Sequence, residues 1–290
     1  MAQSITLTAS MRSNLASLKS IQSQMDTTQE RLSTGKKVNS AIDNASSYYQ
    51  SRALTNRASD LDALLDSMGQ GIQTIQAANE GLEALTSYVE QMKAVADTAA
   101  TLAKPADDAD EETTNAYTAE LKSYQDQFNA IRAQAEKLIN DTSYQGINLL
   151  KGQKLTVVFN EGRTNSLDVQ VDSLLGDKGI GILKADVNWT EADGETAQTT
   201  VDQAITAVTA GMTKLRSVSS ELGNTYSIIQ TRQEFTEALI DVLETGADNL
   251  VLADMNEESA NYLALQTRQQ LAINSLSLAS QSAQSVLQLF

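Results

Sequence analysis

The last stretch of the chain, Asp254 to Phe290, restricts the possible folds more than any other. From Ser259 onward its only charged side chain is Arg268. Leu265, Gln269, Ala272, Leu276, Ala279, Ala283, Val286 and Phe290 follow alternating steps of four and three, the spacing of a heptad seam. Leu271, Ile273, Leu278, Leu287 and Leu289 lie off that seam. Without Gly or Pro, the segment is expected to form one continuous helix. A solitary surface helix carries Lys and Glu on its wet face. This one carries Ser, Gln, Asn and Ala, so it is built to be surrounded by other protein. The simpler alternative is a core helix of a bundle.

The other end has the same character. Met11, Leu15, Leu18, Gln22, Met25, Gln29 and Leu32 step by four and three, and the only charges from Met1 to Gln29 are Arg12, Lys19 and Asp26. Two sparsely charged amphipathic ends can pair as a two-stranded coiled coil. The rest of the chain then becomes a long excursion between paired termini.

Composition narrows the function. A net charge of −16 opposes binding to phosphate backbones and to anionic membrane surfaces. No histidine and no cysteine occur, which removes the commonest general base, the commonest metal ligand and all thiolate chemistry. Carboxylates fall on helix faces and in an acidic loop, with no sign of a dry catalytic pair. No enzyme activity, cofactor or metal site is expected. The start, MAQSITLTASMRSNL, lacks a positively charged segment before an apolar run, so a cleaved secretory signal is not expected. No run approaches the roughly 18 apolar residues of a membrane span, and membrane insertion is not expected. With 4% aromatic residues, narrow helix-on-helix seams are expected in place of a core with large aromatic anchors.

In chain order, a first helix is expected from about Ser4 to Thr34, stopped by Gly35. Ser40-Ala41-Ile42-Asp43 has capping-box spacing. Leu54, Ala58, Leu61, Leu65, Met68, Ile72 and Ile75 keep the heptad; a short step to Ala78 shifts its phase, and Leu82 to Ala99 resume it. Gly69, Gly71 and Gly81 inside this helix suggest tight contacts. Pro105 ends it. Asp107, Asp108, Asp110, Glu111 and Glu112 form a solvated loop without the central Gly of a calcium loop. Thr113 or Thr114 should cap the next helix, with seam Leu121, Tyr124, Phe128, Ile131, Ala135 and Leu138. Residues 155–159 and 167–171 alternate as two strands around a turn at Gly162. Lys178 to Ile182 and the stretch around Trp189 read as irregular or short strands. From Val201 to Leu250 fifteen seam positions step by four and three without a break. Gly246 suggests a joint before the final helix.

These residues have a family likeness. Glu30-Arg31-Leu32-Ser33-Thr34-Gly35-Lys36-Lys37-Val38-Asn39-Ser40-Ala41 resembles the bacterial flagellin stretch that joins its terminal and rod domains. Asn56-Arg57-Ala58 and Gly71-Ile72-Gln73-Thr74-Ile75-Gln76 are similar too. At the far end, Met255-Asn256-Glu257-Glu258-Ser259-Ala260-Asn261, Leu265-Gln266-Thr267-Arg268-Gln269-Gln270-Leu271 and Leu276-Ser277-Leu278-Ala279-Ser280-Gln281 are closer still. The resemblance covers residues 1–186 and 199–290 and is to a short flagellin without large outer variable domains.

The resemblance implies a mainly α, coiled-coil-like bundle with a small β-hairpin region, about residues 142–196, and paired N- and C-terminal helices. Residues 1–40 with 251–290 would form the terminal domain lining the filament core, and 41–250 the rod domain. The subunit would polymerise with itself into the flagellar filament used for swimming. It would be secreted unfolded by the flagellar export apparatus with an export chaperone. It would also meet the filament cap and the hook-filament junction proteins. Two other functions fit parts of the pattern: a flagellin-like junction protein, and a secreted helical translocator. The assembly surface is expected on Leu7, Met11, Leu15, Leu18, Met25 and Leu32, and on Leu265, Leu271, Leu276, Leu278, Val286, Leu287 and Phe290. One departure stands out. Many flagellins carry Arg-x-Arg-Glu-Leu in the segment seen by the animal Toll-like flagellin receptor. The matching residues here are Gln91, Met92, Lys93, Ala94 and Val95, so weak receptor recognition is expected.

Overall fold

The computed structural model describes residues 9–105, 110–175, 179–183, 186–190 and 194–288. Its main elements are α1 (Ala9–Thr34), α2 (Ala45–Ala100), α3 (Glu111–Asp141), β1 (Leu155–Val158), β2 (Ser166–Val169), α4 (Gly194–Val251) and α5 (Met255–Gln288). The chain divides into two compact units, Met1–Ser59 with Ile240–Phe290, and Asp60–Leu239. Helix α4 is 58 residues long, about 87 Å at 1.5 Å per residue.

In the Asp60–Leu239 unit, the seven-residue repeats of three helices meet in one core. Met68, Ile75, Leu82, Leu85, Val89 and Met92 of α2 are buried with Leu121, Phe128 and Ala135 of α3 and Val201, Val208, Leu215, Leu222 and Ile229 of α4. The phase shift at Ala78 is real: Ile75, Ala78 and Leu82 are all buried. Small residues let helices and loops approach closely. A Cβ on Gly71 would stand 2.8 Å from Val157 of β1, and one on Gly81 would stand 2.6 Å from Thr142. Gly69, by contrast, faces open space.

The antiparallel hairpin pairs Leu155 with Val169 and Val158 with Ser166. Leu155, Val157 and Val169 turn inward, as period-two alternation requires. The Arg232 guanidinium of α4 lies 5.4 Å from the ring centre of Phe159, just beyond β1.

Other sequence expectations need correction as well. The core does contain an aromatic anchor: Trp189 is fully buried, its ring centre 5.3 Å from that of Phe128. Low aromatic content said nothing about where the single Trp would sit. Helix α3 is capped by Asp110, whose side chain accepts from Thr113 N–H at 2.9 Å. A carboxylate at this position also meets the positive end of the helix dipole, so it displaces the threonines as cap. Gly246 is not a joint. Helix α4 continues to Val251, and a Cβ at Gly246 would lie 3.5 Å from Leu54. The glycine serves close packing, and the break falls at Leu252–Asp254.

The segment leading to Trp189 is held by α3 through an array of side-chain bonds. Gln125 accepts from Trp189 N–H at 2.7 Å. The Asn129 amide both donates to Val187 C=O and accepts from its N–H, each at 2.9 Å. Arg132, buried at the next turn, donates to Leu183 C=O at 3.2 Å and to the Asp186 carboxylate. Residues 125, 129 and 132 share one helix face, so one face of α3 holds the backbone at Leu183, Val187 and Trp189.

In the other unit, Gly35 ends α1 with φ +70°, and its N–H donates to Arg31 C=O at 2.8 Å. The two connectors then pair: Lys37 N–H donates to Val251 C=O at 2.7 Å, and Ala253 N–H to Gly35 C=O at 2.9 Å. The capping-box spacing at Ser40–Asp43 closes a single turn, and Asn44 caps α2 instead, accepting from Ser47 N–H at 3.1 Å. Asp43 accepts from the N–H groups of Ser40 at 2.9 Å and Asn39 at 3.0 Å. These bonds hold its carboxyl below its usual value of 3.8. A lowered value stabilises the turn fully above 3.8, and that contribution is lost as pH falls through the lower folded value. In an NMR titration the Asn39 and Ser40 amide shifts should move with a midpoint below 3.8. A midpoint at or above that value would contradict the bonding.

Candidate self-assembly surface

Helices α1 and α5 pair along their length in the unit that contains both termini. Their contact is thin. On α5, Glu258 and Leu265 are buried and Tyr262, Gln269, Ala272 and Leu276 half-buried, the heptad order expected from sequence. On α1 the order differs by one residue. Met11 is buried and Leu18, Met25 and Leu32 are half-buried, but the intervening inward places go to Asn14, Ile21 and Thr28. Leu15 is 49% exposed, and Gln29 faces out. Two heptad readings share Met11, Leu18, Met25 and Leu32 and differ by one residue in between. Weighing Leu15 most heavily selects the wrong one. Gln22 stays half in the contact because its Oε1 accepts from Gln269 at 2.7 Å.

The pair is tied at its base by charge. Arg31 donates to the Glu258 carboxylate at 2.9 Å, and that carboxylate side chain is only 10% exposed. Sequence reasoning did not anticipate this bond, since residues 227 apart give no local signal. Charges in the two helices balance: Arg12, Lys19, Arg31 and Arg268 stand against Asp26, Glu30, Glu257 and Glu258. The net −16 of the chain is therefore carried entirely outside this helix pair.

What the pair leaves uncovered is apolar. Leu271 is 61% and Leu278 64% exposed, with Leu263 and Ile273 beside them. From Ser259 onward Arg268 is the only charge on either face of α5, while only one face is covered. Val286 and Leu287 belong to α5, but their side chains lie outside the described residues, as do Leu7 and Phe290 altogether. Among the described residues no cluster of three or more acidic side chains is placed to hold a metal ion. No described helix is long and apolar enough to cross a membrane.

Residues 5–155 match the family model of the bacterial flagellin N-terminal helical region. Residues 190–290 match that of the bacterial flagellin C-terminal helical region. The chain belongs to the bacterial flagellin family. It is 31% identical to flagellin FljK of Caulobacter vibrioides over 290 residues, covering 99% of this chain and 98% of that relative. It is 28% identical to a flagellin of Brucella melitensis over 302 aligned residues, covering 99% of each. Flagellin A of Rhizobium meliloti (strain 1021) aligns over 408 residues at 28% identity, with 99% of each chain covered. An alignment that long must carry insertions relative to these 290 residues, which makes this a short flagellin. It is a structural protein of a filament-forming family.

The segment compared above with the receptor-binding stretch of flagellins lies on α2. Gln91 and Ala94 are exposed, Lys93 and Val95 are half-buried, and Met92 is fully buried in the core.

Proposed function

We propose that this chain polymerises with itself into the extracellular filament of a bacterial flagellum, with α1 and α5 as its assembly element. The observation that carries the reading is α5: a long helix whose uncovered face bears Leu263, Leu271, Ile273 and Leu278 and, from Ser259 onward, only one charge. Burying such side chains favours association by about 1.5–3 kcal/mol each. The neutral helix pair can crowd many copies together without the self-repulsion that −16 per chain would otherwise impose. Residues 1–40 with 251–290 then form the inner domain of the polymer and 41–250 the rod, divided where the two connectors pair. Export through the flagellar secretion apparatus with a chaperone, and contacts with cap and junction proteins, belong to the same reading.

Seeded growth tests it. Purified chain mixed with short fragments of its own polymer should give rising light scattering and tubes of uniform width by negative-stain microscopy. A chain that stays monomeric, or only covers the ends of existing filaments, would point to a junction protein.

The reading extends to innate recognition. With uncharged Gln91 and Ala94 facing out on α2, the bidentate contacts of an exposed Arg and Glu are missing. In receptor reporter cells the response should be at least roughly tenfold weaker than that to a flagellin carrying Arg-x-Arg-Glu-Leu. An equal response would sink this extension.

A further inference from the structure

The apolar side chains of α1 do not decide how it faces α5. Met11, Leu18, Met25 and Leu32 belong to both possible heptad phases. The observed phase adds Asn14, Ile21 and Thr28, and the other would add Leu15, Gln22 and Gln29. Each set holds one large aliphatic and two polar side chains, so burial alone leaves the two nearly equal. At about 100° per residue the centres of the two seams lie roughly 50° apart around α1.

Charge breaks the tie. Among the described seam positions of both helices Glu258 carries the one charge, and its side chain is 10% exposed. A carboxylate so placed is strongly disfavoured unless a cation pairs with it. Arg31 supplies that cation at 2.9 Å. It flanks the observed seam, roughly 90° from its centre, and would stand roughly 140° from the centre of the other. That rotation would carry the guanidinium away from α5 and leave Glu258 unpaired. The 2.7 Å bond between Gln22 and Gln269 makes no such choice, since Gln22 lies at the edge of one seam and inside the other.

We propose that Arg31 and Glu258 are positioning residues that set the rotation of α1 about its own axis, and with it the face that the helix pair presents outward. In this rotation Leu15 joins the uncovered apolar side chains. Buried polar contacts specify the alignment of paired helices at some cost in stability. The rotation is a property of one chain; its consequence for assembly rests on the filament reading.

The chain has no native cysteine, so pairs of introduced thiols report the rotation. The bonds at Arg31 and Gln22 run α1 antiparallel to α5 and put residues 14 and 15 level with the half-buried Leu276. One variant carries Asn14→Cys with Leu276→Cys, the other Leu15→Cys with Leu276→Cys. Each is diluted into excess unmodified chain, so that links form within one copy, and is oxidised both before polymerisation and in finished tubes. A disulfide needs Cα atoms within about 7 Å and converging side chains, so the Asn14 pair should link at least roughly tenfold faster in both states. Adding Arg31→Leu with Glu258→Leu should keep the helical content, because an apolar pair replaces a buried ion pair without loss, yet bring the two linking rates within about twofold. The critical concentration should then rise roughly tenfold. Arg31→Lys, which keeps the charge, should preserve the Asn14 preference. Equal linking in the chain that retains Arg31 and Glu258 would overturn the proposal. So would an Asn14 preference that persists in the double Leu variant, since the connectors or the seam would then set the rotation. Failure of the unmodified chain to polymerise would overturn the filament reading, and the rates in the dilute chain would still decide the rotation.

Discussion

Removing residues 255–290 leaves a soluble, helical chain that no longer polymerises. The deletion strips Leu265, Gln269 and Leu276 from the inner face of α1 and removes the exposed Leu271 and Leu278 from the surface offered to other copies. Each lost apolar burial is worth about 1.5–3 kcal/mol, so the combined loss should raise the critical concentration by more than roughly 100-fold. The Asp60–Leu239 core keeps all its own contacts and should retain its cooperative unfolding. Sedimentation of seeded samples separates the outcomes: the truncated chain should stay in the supernatant where the full chain pellets. Normal tubes from the truncated chain would show that α5 is dispensable for assembly. Because α1 then lacks its mate, the truncated chain should also lose helical signal from α1.

Trp189→Ala should cost about 3–5 kcal/mol in urea unfolding, the range for emptying a fully buried aromatic site. Trp189 has no exposed surface and rests on Phe128. Its backbone is fixed by Gln125, and the preceding residues by Asn129 and Arg132, so the cavity cannot collapse easily. Phe128→Ala should cost a similar amount. The double variant should cost less than the sum, since each change empties part of the same contact. Trp189→Phe should be milder, below about 1.5 kcal/mol. It keeps most of the ring volume, and the indole N–H that it removes is buried without an acceptor among the described residues. A Trp189→Ala cost under about 1 kcal/mol would mean that the Trp189 side chain does not close the core.

The contrast between these two regions explains what could be read from sequence. The α4 seam was legible at its seven-residue steps, where Val201, Val208, Leu215, Leu222, Ile229 and Leu243 are all buried; between them Ala204 and Val218 are buried and the expected Ile205 and Ser219 only half-buried. The α2 seam was legible in the same way, including its phase step at Ala78. The hairpin was visible as period two with a turn. Helix α1 was only half legible, because Leu15 and Ile21 support different heptad phases and only the partner helix decides between them. The Trp189 anchor and its Gln125, Asn129 and Arg132 supports were invisible. They join residues 51 to 64 apart, and one face of polar side chains on a helix looks like an ordinary wet surface. Gly246 misled for a related reason, since a glycine that ends a helix and one that admits Leu54 have the same letter. In the assembly surface, apolar character was legible and exposure was not. Leu271 and Leu265 differ in sequence only by their place in the repeat, yet one is open and the other buried.

The central claim is that α1 and α5 are the assembly element and that other copies cover the open face of α5. Helical reconstruction of the polymer by electron microscopy tests it directly. Helices α1 and α5 should lie innermost in the tube wall, with Leu271 and Leu278 packed against neighbouring copies. A tube wall in which those two side chains still face solvent would contradict it.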